Sequence, residues 1–256
     1  FSFQQSVYAQ QGREKWSEAN AKTWYARQPW YVGCNFIPST AINQLEMWQA
    51  ETFDPATIDK ELGWAQSIGF NTMRVFLHHI AWEVDPDGFK KRVKDYLTIA
   101  DKHGIKTMFV FFDDCWNKEP KAGLQPAPKP GIHNSDLVQD HEQKKAYDST
   151  RFPKLEKYVT DVLTHFAKDQ RILLWDLYNE PGNSGKKDSS YHLLGKVFQW
   201  ARAVNPDQPL SVGLWDWSFE KLNAFQFNNS DIITYHNYDE TPQHKRVIEL
   251  LKASGR

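Results

Sequence analysis

The chain reads as an α/β protein: a parallel, TIM-barrel-like (β/α) barrel, incomplete at about six βα units. Three observations predict this. Short apolar runs alternate with segments of helical spacing, which implies strands joined by crossover helices and therefore a parallel sheet. Each apolar run ends in polar or aromatic residues, namely Asn35, His78, Asp113, Glu180, Trp215-Asp216 and His236 to Tyr238. Functional residues at the carboxyl ends of several strands mark such barrels. The length, 256 residues, suits one large barrel domain. Residues 1–28 read as an N-terminal extension and residues 29–256 as the barrel, without the seventh and eighth strands that would close it.

The elements follow in order. Residues 31–38 (YVGCNFIP) form strand one, and a loop carrying Asn43, Glu46 and Trp48 follows. Asp54-Pro55 opens the first helix, because Asp caps and Pro suits the first helical position. Ile58, Leu62, Ala65 and Ile68 keep helical spacing, and Gly69 ends the helix. Residues 71–78 (NTMRVFLH) form strand two. Phe89, Val93, Leu97 and Ala100 mark helix two, closed by Gly104, and residues 106–113 (KTMFVFFD) form strand three. The proline-rich stretch from Asp114 to Thr150 is a long loop leaving the end of strand three. Loops of that length in compact domains are usually functional or disordered. Phe152, Leu155, Val159, Val162 and Phe166 mark helix three, and residues 171–180 form strand four. Tyr191, Leu194, Val197, Phe198 and Ala201 mark helix four. Residues 210–217 (LSVGLWDW) form strand five, with a short helix at Phe219 and Leu222 behind it. Residues 231–238 (DIITYHNY) form strand six, and Val247, Leu250 and Leu251 mark the last helix.

Composition narrows the function. The net charge is −1, without a basic stripe or charge block, so nucleic acid and anionic membrane are poor partners. No apolar run approaches the about 20 residues of a membrane span. No Gly-rich phosphate loop follows any strand, which disfavours nucleotides, and no G-x-S-x-G is present, which disfavours serine hydrolase chemistry. The chain holds 11 Trp, 10 Tyr and 16 Phe. Many belong to the core, but tryptophan in loops suits the apolar faces of sugar rings. Ser6 to Gln10 resembles the small-residue end of a signal peptide, so a secreted or periplasmic location is expected. Cys34 and Cys115 fall on strands one and three, which are not neighbours, so a disulfide between them is disfavoured. His78-His79 invites a metal reading, but no third or fourth ligand has suitable spacing, and neither metal nor cofactor is expected.

The most informative stretch is Leu177 to Gly182 (LYNEPG). An Asn-Glu pair closing a buried strand puts an amide and a carboxyl at a barrel mouth, and Pro181-Gly182 turns the chain. A carboxyl there serves as a general acid if its surroundings raise its pKa. Arg74, in an apolar strand, needs an anionic partner. That partner is either the site or Asp176, four residues before Glu180 and on the same strand face. His236 and Tyr238, two apart, share a face, as do Trp215 and Trp217. Asp113, Asp114 and Trp116 lead away from strand three.

These residues resemble the clan of retaining β-glycosidases on (β/α)₈ barrels, closest to the cellulase-like family 5 glycoside hydrolases, over about Pro29 to Tyr238. Asn179-Glu180-Pro181 matches the end of strand four, Arg74 in Thr72 to Phe76 matches strand two, and His236-Asn237-Tyr238 matches strand six. The resemblance implies Glu180 as general acid/base, supported by Arg74, Asn179, His236 and Tyr238. Trp215, Trp217, Asp113, Asp114, Trp116 and Trp48 are the candidate sugar contacts. The implied reaction is cleavage of a β-1,4-linked polysaccharide, cellulase- or endoglucanase-like. Mannanase or xylanase specificity and a catalytically impaired sugar-binding relative are the alternatives. The family nucleophile belongs to strand seven, which the sequence does not supply. Asp113, Asp216, Asp239 or Glu240 would have to replace it, or a second copy would have to complete the barrel. A homo-oligomer, or the aromatic-rich segment Phe1 to Pro29, is expected to cover the open edges.

Overall fold

The computed structural model describes residues 12–132, 135–141 and 148–253. The signal-like stretch, and the first eleven residues of the expected N-terminal cover, lie outside the described residues.

Six parallel strands form one curled sheet in sequence order: β1 (Gly33–Asn35), β2 (Thr72–Phe76), β3 (Lys106–Asp113), β4 (Ile172–Asn179), β5 (Leu210–Leu214) and β6 (Thr234–Tyr235). This is an incomplete, TIM-barrel-like half-barrel with helices between the strands. Unbroken apolar runs make buried parallel strands, and β4 is buried along its whole length. The edges differ. All three residues of β1 are exposed, and the two of β6 are half-buried. Strands one, two, five and six are shorter than their sequence runs because pairing ends there and the chain turns away.

The connecting helices are α3 (Pro55–Ser67), α5 (Pro86–Lys102), α6 (Phe152–Phe166), α7 (Tyr191–Val204), α8 (Glu220–Asn229) and α9 (Thr241–Ala253). Asp54 caps α3 through Thr57 N–H and Asp85 caps α5 through Gly88 N–H, each followed by proline. Between the helices and the sheet lies the core. Phe109 and Phe111 flank Trp175 at 5.7 and 5.3 Å, and Tyr158 meets Phe111 edge-on at 5.3 Å. Each such side chain contributes about 1.5–3 kcal/mol by burial.

Three helices were not expected. Helix α1 (Glu18–Ala26) is capped by Ser17 and buries only Ala21, so its sequence carries little apolar periodicity. Its Trp24 and Tyr25, with Ile248 and Leu251 of α9, enclose a cavity of ≈ 620 Å³. Thr72, Met108 and Leu173 of the sheet's amino-terminal end form the cavity's other wall. The segment before α1 is pinned by Asp231, which accepts from Arg13 at 2.8 Å, Trp16 N–H at 2.8 Å, Arg202 at 2.9 Å and Leu210 N–H at 2.8 Å. Helix α2 (Gln44–Trp48) sits in the supposed loop, capped by Asn43. Helix α4 (His79–Val84) begins where strand two was expected to finish, and His78 caps it by accepting from Ile80 N–H at 3.2 Å.

The segment after β3 returns on itself. Asp113 bridges to Asp140 and Asn117 to Val138, and Gln139 Nε2 donates to the Asp114 carbonyl at 2.7 Å. Cys34 and Cys115 are both free.

Candidate active site

The site forms where β2, β3 and β4 end. On β2, Arg74 lies opposite β4 across β3. Its Nη2 donates to Asp176 Oδ2 at 2.6 Å and to Asn179 Oδ1 at 2.8 Å, and its Nε reaches the same Asp176 oxygen at 3.1 Å. The two alternatives for Arg74 are therefore one arrangement: a buried ion pair that also orients the site amide. Asn179 Nδ2 in turn donates to Asp113 Oδ1 at 2.7 Å and to Cys115 Sγ at 3.4 Å. Burial pushes the Asp113 carboxyl up to about 7, against the hydrogen bonds from Asn179 and Cys115 N–H.

Glu180 follows with φ +47°, a left-handed conformation uncommon for a residue with a side chain. Strain of this kind clusters at functional positions, and here it turns the carboxyl out of the strand register. Oε1 lies 2.5 Å from His236 Nδ1. Oε2 accepts from Asn183 Nδ2 at 2.5 Å and from the Cys115 thiol at 3.1 Å. A carboxylate only accepts, so His236 Nδ1 carries the hydrogen. The ring reaches this place because residue 213 on β5 is glycine, where a Cβ would lie 2.9 Å from His236 Nε2. Burial alone would raise the Glu180 carboxyl. The hydrogen bonds from His236, Cys115 and Asn183 outweigh burial and hold it below the usual glutamate range. The raised pKa that a general acid requires is not met by these surroundings alone, because the donors that position the carboxyl also favour its charge.

The family model described as Cellulase (glycosyl hydrolase family 5) matches residues 37–250. The chain belongs to this family.

No curated protein matches significantly. Solved structures share the fold. An endo-1,4-β-mannanase from Rhizomucor miehei aligns with TM-score 0.58 at 13% identity, over 89% of this chain and 75% of that one. An exo-β-1,4-mannosidase from Opitutaceae bacterium strain TAV5 aligns with TM-score 0.57 at 18% identity, over 91% of this chain and 41% of that one. The family 5 chain thus spans less than half the length of the second relative.

The other expected site residues part ways in this family 5 chain. Asp114 is fully buried. It accepts from Lys186 at 2.6 Å, Ser190 Oγ at 2.5 Å, Tyr178 OH at 2.8 Å and Gly182 N–H at 2.8 Å. Burial opposes its charge, but His141 and Lys186 hold its carboxyl down at about 2. It ties the turn after β4 to β3 and is closed to a sugar, which corrects its place among the candidate contacts. Trp48 is a second correction. Helix α2 turns it inward, where its indole donates to the Phe76 carbonyl at 2.7 Å and it packs on Phe53, Phe89 and Tyr96. Strand β6 stops at Tyr235, and Tyr238 lies in the loop beyond it, 92% exposed.

Trp215 is half-buried beside the turn, its indole donating to the Pro181 carbonyl at 3.0 Å and its ring edge-on to Phe219. Trp217 is half-buried, and Trp116, at φ 77°, stands exposed next to Cys115. Of the carboxyls considered as replacement nucleophiles, Asp216 accepts from Ser218 N–H and Oγ and Asp239 from Asn237, both local turns, and Glu240 is exposed. Sequence reasoning missed Cys115, Asn183 and Lys186. Cys115 was legible as the residue after Asp113-Asp114, but nothing local reveals the contacts of the other two.

Spacing also failed to find Asp140, which the returning loop places against His78 and His79, their ligating atoms within 4.8 Å of one another. The two imidazoles stack at 5.2 Å with planes 19° apart. Each is already used. His78 lies between Ile80 N–H and the Gln139 carbonyl, and His79 Nδ1 pairs with Asp140, which also accepts from His79 N–H at 2.9 Å. The cluster fastens the long loop to α4.

Proposed function

We propose that this chain acts on β-1,4-linked polysaccharide as a glycoside hydrolase, with Glu180 as general acid/base. One observation carries the reading. A strained glutamate ends β4 with its carboxyl held between His236 and Cys115, beside an asparagine locked by Arg74. Protonation of the leaving oxygen by Glu180 assists departure. The same group, now a carboxylate, then takes a proton from the attacking water. A bound sugar chain displaces water from Glu180, and desolvation raises its proton affinity toward the acid's requirement.

A retaining mechanism also needs a charged carboxylate about 5–5.5 Å from the acid. Asp113 accepts from the same asparagine, but at about 7 it keeps its proton below neutral pH and makes a poor nucleophile. We assign the nucleophile to strands that would close the barrel between β6 and β1, or to a second copy. Trp215 and Trp116 are the proposed stacking surfaces. Cellulose-type glucan is the first substrate, and β-mannan the second, because the two structural relatives bear mannan-cleaving names. An extracellular or periplasmic setting fits a polymer substrate. A sugar-binding relative without turnover is the rival reading, favoured by the depressed Glu180 pKa.

Reducing-sugar release from carboxymethyl cellulose, β-mannan and xylan, with Glu180→Gln as control, tests this. Binding without release marks the rival. Neither binding nor release on any of them overturns both.

A further inference from the structure

Three parts of the site meet on Cys115, a group that exchanges no proton or bond in the proposed reaction. It stands where β3 passes into the long loop and is 8% exposed. Its Sγ lies 3.1 Å from Glu180 Oε2 and 3.4 Å from Asn179 Nδ2, and its N–H donates to Asp113 Oδ1 at 2.8 Å. The direction of each bond follows from what the groups can do. An amide nitrogen donates and a carboxylate accepts, so the sulfur accepts from Asn179 and aims its one hydrogen at Glu180. Burial, with Asp113 and Glu180 alongside, pushes the thiol pKa far up. The sulfur therefore keeps its hydrogen, and thiolate chemistry is suppressed.

We propose that Cys115 is a positioning residue for Glu180: its thiol holds Oε2 toward β3 while His236 holds Oε1, fixing the carboxyl plane and its proton affinity. The proposal gains catalytic meaning only if Glu180 is the general acid/base, but the contact exists either way. Among the described residues, groups from several elements surround the carboxyl. They are His236 beyond β6, Asn183 in the turn after β4, Cys115 and Asp113 from β3, and Arg74 of β2 acting through Asn179. Of the donors to Oε2, Asn183 sits on the same turn as Glu180 and moves with it. Cys115 alone of the two ties that oxygen to another strand. A thiol is also a weak donor, so it orients the carboxyl while stabilising its charge less than a hydroxyl would.

The test is direct titration of Glu180 in protein labelled with ¹³C-glutamate, its carboxyl signal assigned by Glu180→Gln. A hydrogen bond to the ionised form lowers a pKa, and its removal raises it. Cys115→Ala should displace the Glu180 midpoint upward while other glutamates stay put. Cys115→Val, which keeps side-chain bulk without a donor, should do the same and covers the case in which the alanine variant fails to fold. Cys115→Ser should return the midpoint to the wild-type value or below. An unmoved midpoint in the donor-less variants, or a serine variant that behaves like them, overturns the proposal. Activity on the polysaccharide panel is read separately. A shifted midpoint in a protein inactive on every polysaccharide leaves Cys115 in its role and sinks the hydrolase reading. Intact activity with an unshifted midpoint does the reverse.

Discussion

His236 Nδ1 stands 2.5 Å from Glu180 Oε1, tying the loop after the edge strand β6 to the end of the buried strand β4. The contact spans β5, and Gly213 on that strand provides the room. The carboxyl is thus oriented from across the sheet as well as by its own turn. That matters because a proton donor must sit within hydrogen-bond reach of the atom it protonates.

Glu180→Gln should keep the fold and remove most activity on natural polysaccharide, by about 10²–10⁴-fold, the usual worth of general acid catalysis. The amide keeps one acceptor oxygen where the carboxylate offers two to His236, Asn183 and Cys115. Activated aryl glycosides need less protonation and should lose less in the cleavage step. Steady-state rates on both substrate types check this, and a wild-type rate on the polymer removes Glu180 from the role.

Arg74→Ala should cost about 3–5 kcal/mol, because it strands Asp176 as a buried, uncompensated carboxylate. Arg74 is 15% and Asp176 1% exposed at the side chain. Asn179 loses its anchor at the same time, so activity should fall with stability. Urea unfolding gives the number. Adding Asp176→Asn should recover part of the loss, and a single variant that unfolds with the wild type contradicts the burial of this pair.

Stability should depend on pH through two neighbouring aspartates of opposite sign. Asp114 is held down at about 2 from 3.8. Its contribution, about 2 kcal/mol, is present above about pH 4 and lost as the pH falls toward 2. Asp113 is raised from 3.8 to about 7. Its protonated form is the one the fold favours, so that stability is present below about pH 4 and is lost as the pH rises through 7. Asp113→Asn keeps an acceptor for Asn179 and Cys115 N–H without the charge. Its melting temperature should therefore gain on the wild type from pH 4 to pH 8. Parallel melting curves across that window would show that Asp113 is ionised at little cost.

The sheet edges should drive self-association. Strand β1 is exposed along its length with Trp30 and Val32 exposed beside it, and unpaired strand edges invite pairing. Light scattering at micromolar concentration should return a mass above the 29.9 kDa of one chain. A monomer at all concentrations would show that α1 and α9 protect the edges well enough.

The parallel α/β plan and the order of its strands were legible because they rest on local signals: apolar runs, helical spacing, and the Asp-Pro cap at Asp54. Strand β3 and all but the ends of β4 came out where their residues suggested, since both are buried on each face and read as unbroken apolar runs. Helices α1, α2 and α4 escaped because they are short or bury few residues, so their sequences lack a clear period.

The sequence by itself determined which residues stand at strand ends, and so brought Asp113, Asn179, Glu180 and His236 to one mouth of the half-barrel, with Arg74 inside β2 beneath them. Only the tertiary structure decided what each of them faces. Asp113 and Asp114 are adjacent, yet one turns to Asn179 and gains a proton while the other turns to Lys186 and loses it. Trp48 went to the core and Tyr238 to solvent, and Cys115 reached Glu180 from 65 positions away. The physical reason is range. Periodicity and capping act within a few residues, whereas burial, ion pairing and proton affinity depend on groups that the chain brings together only after it has folded.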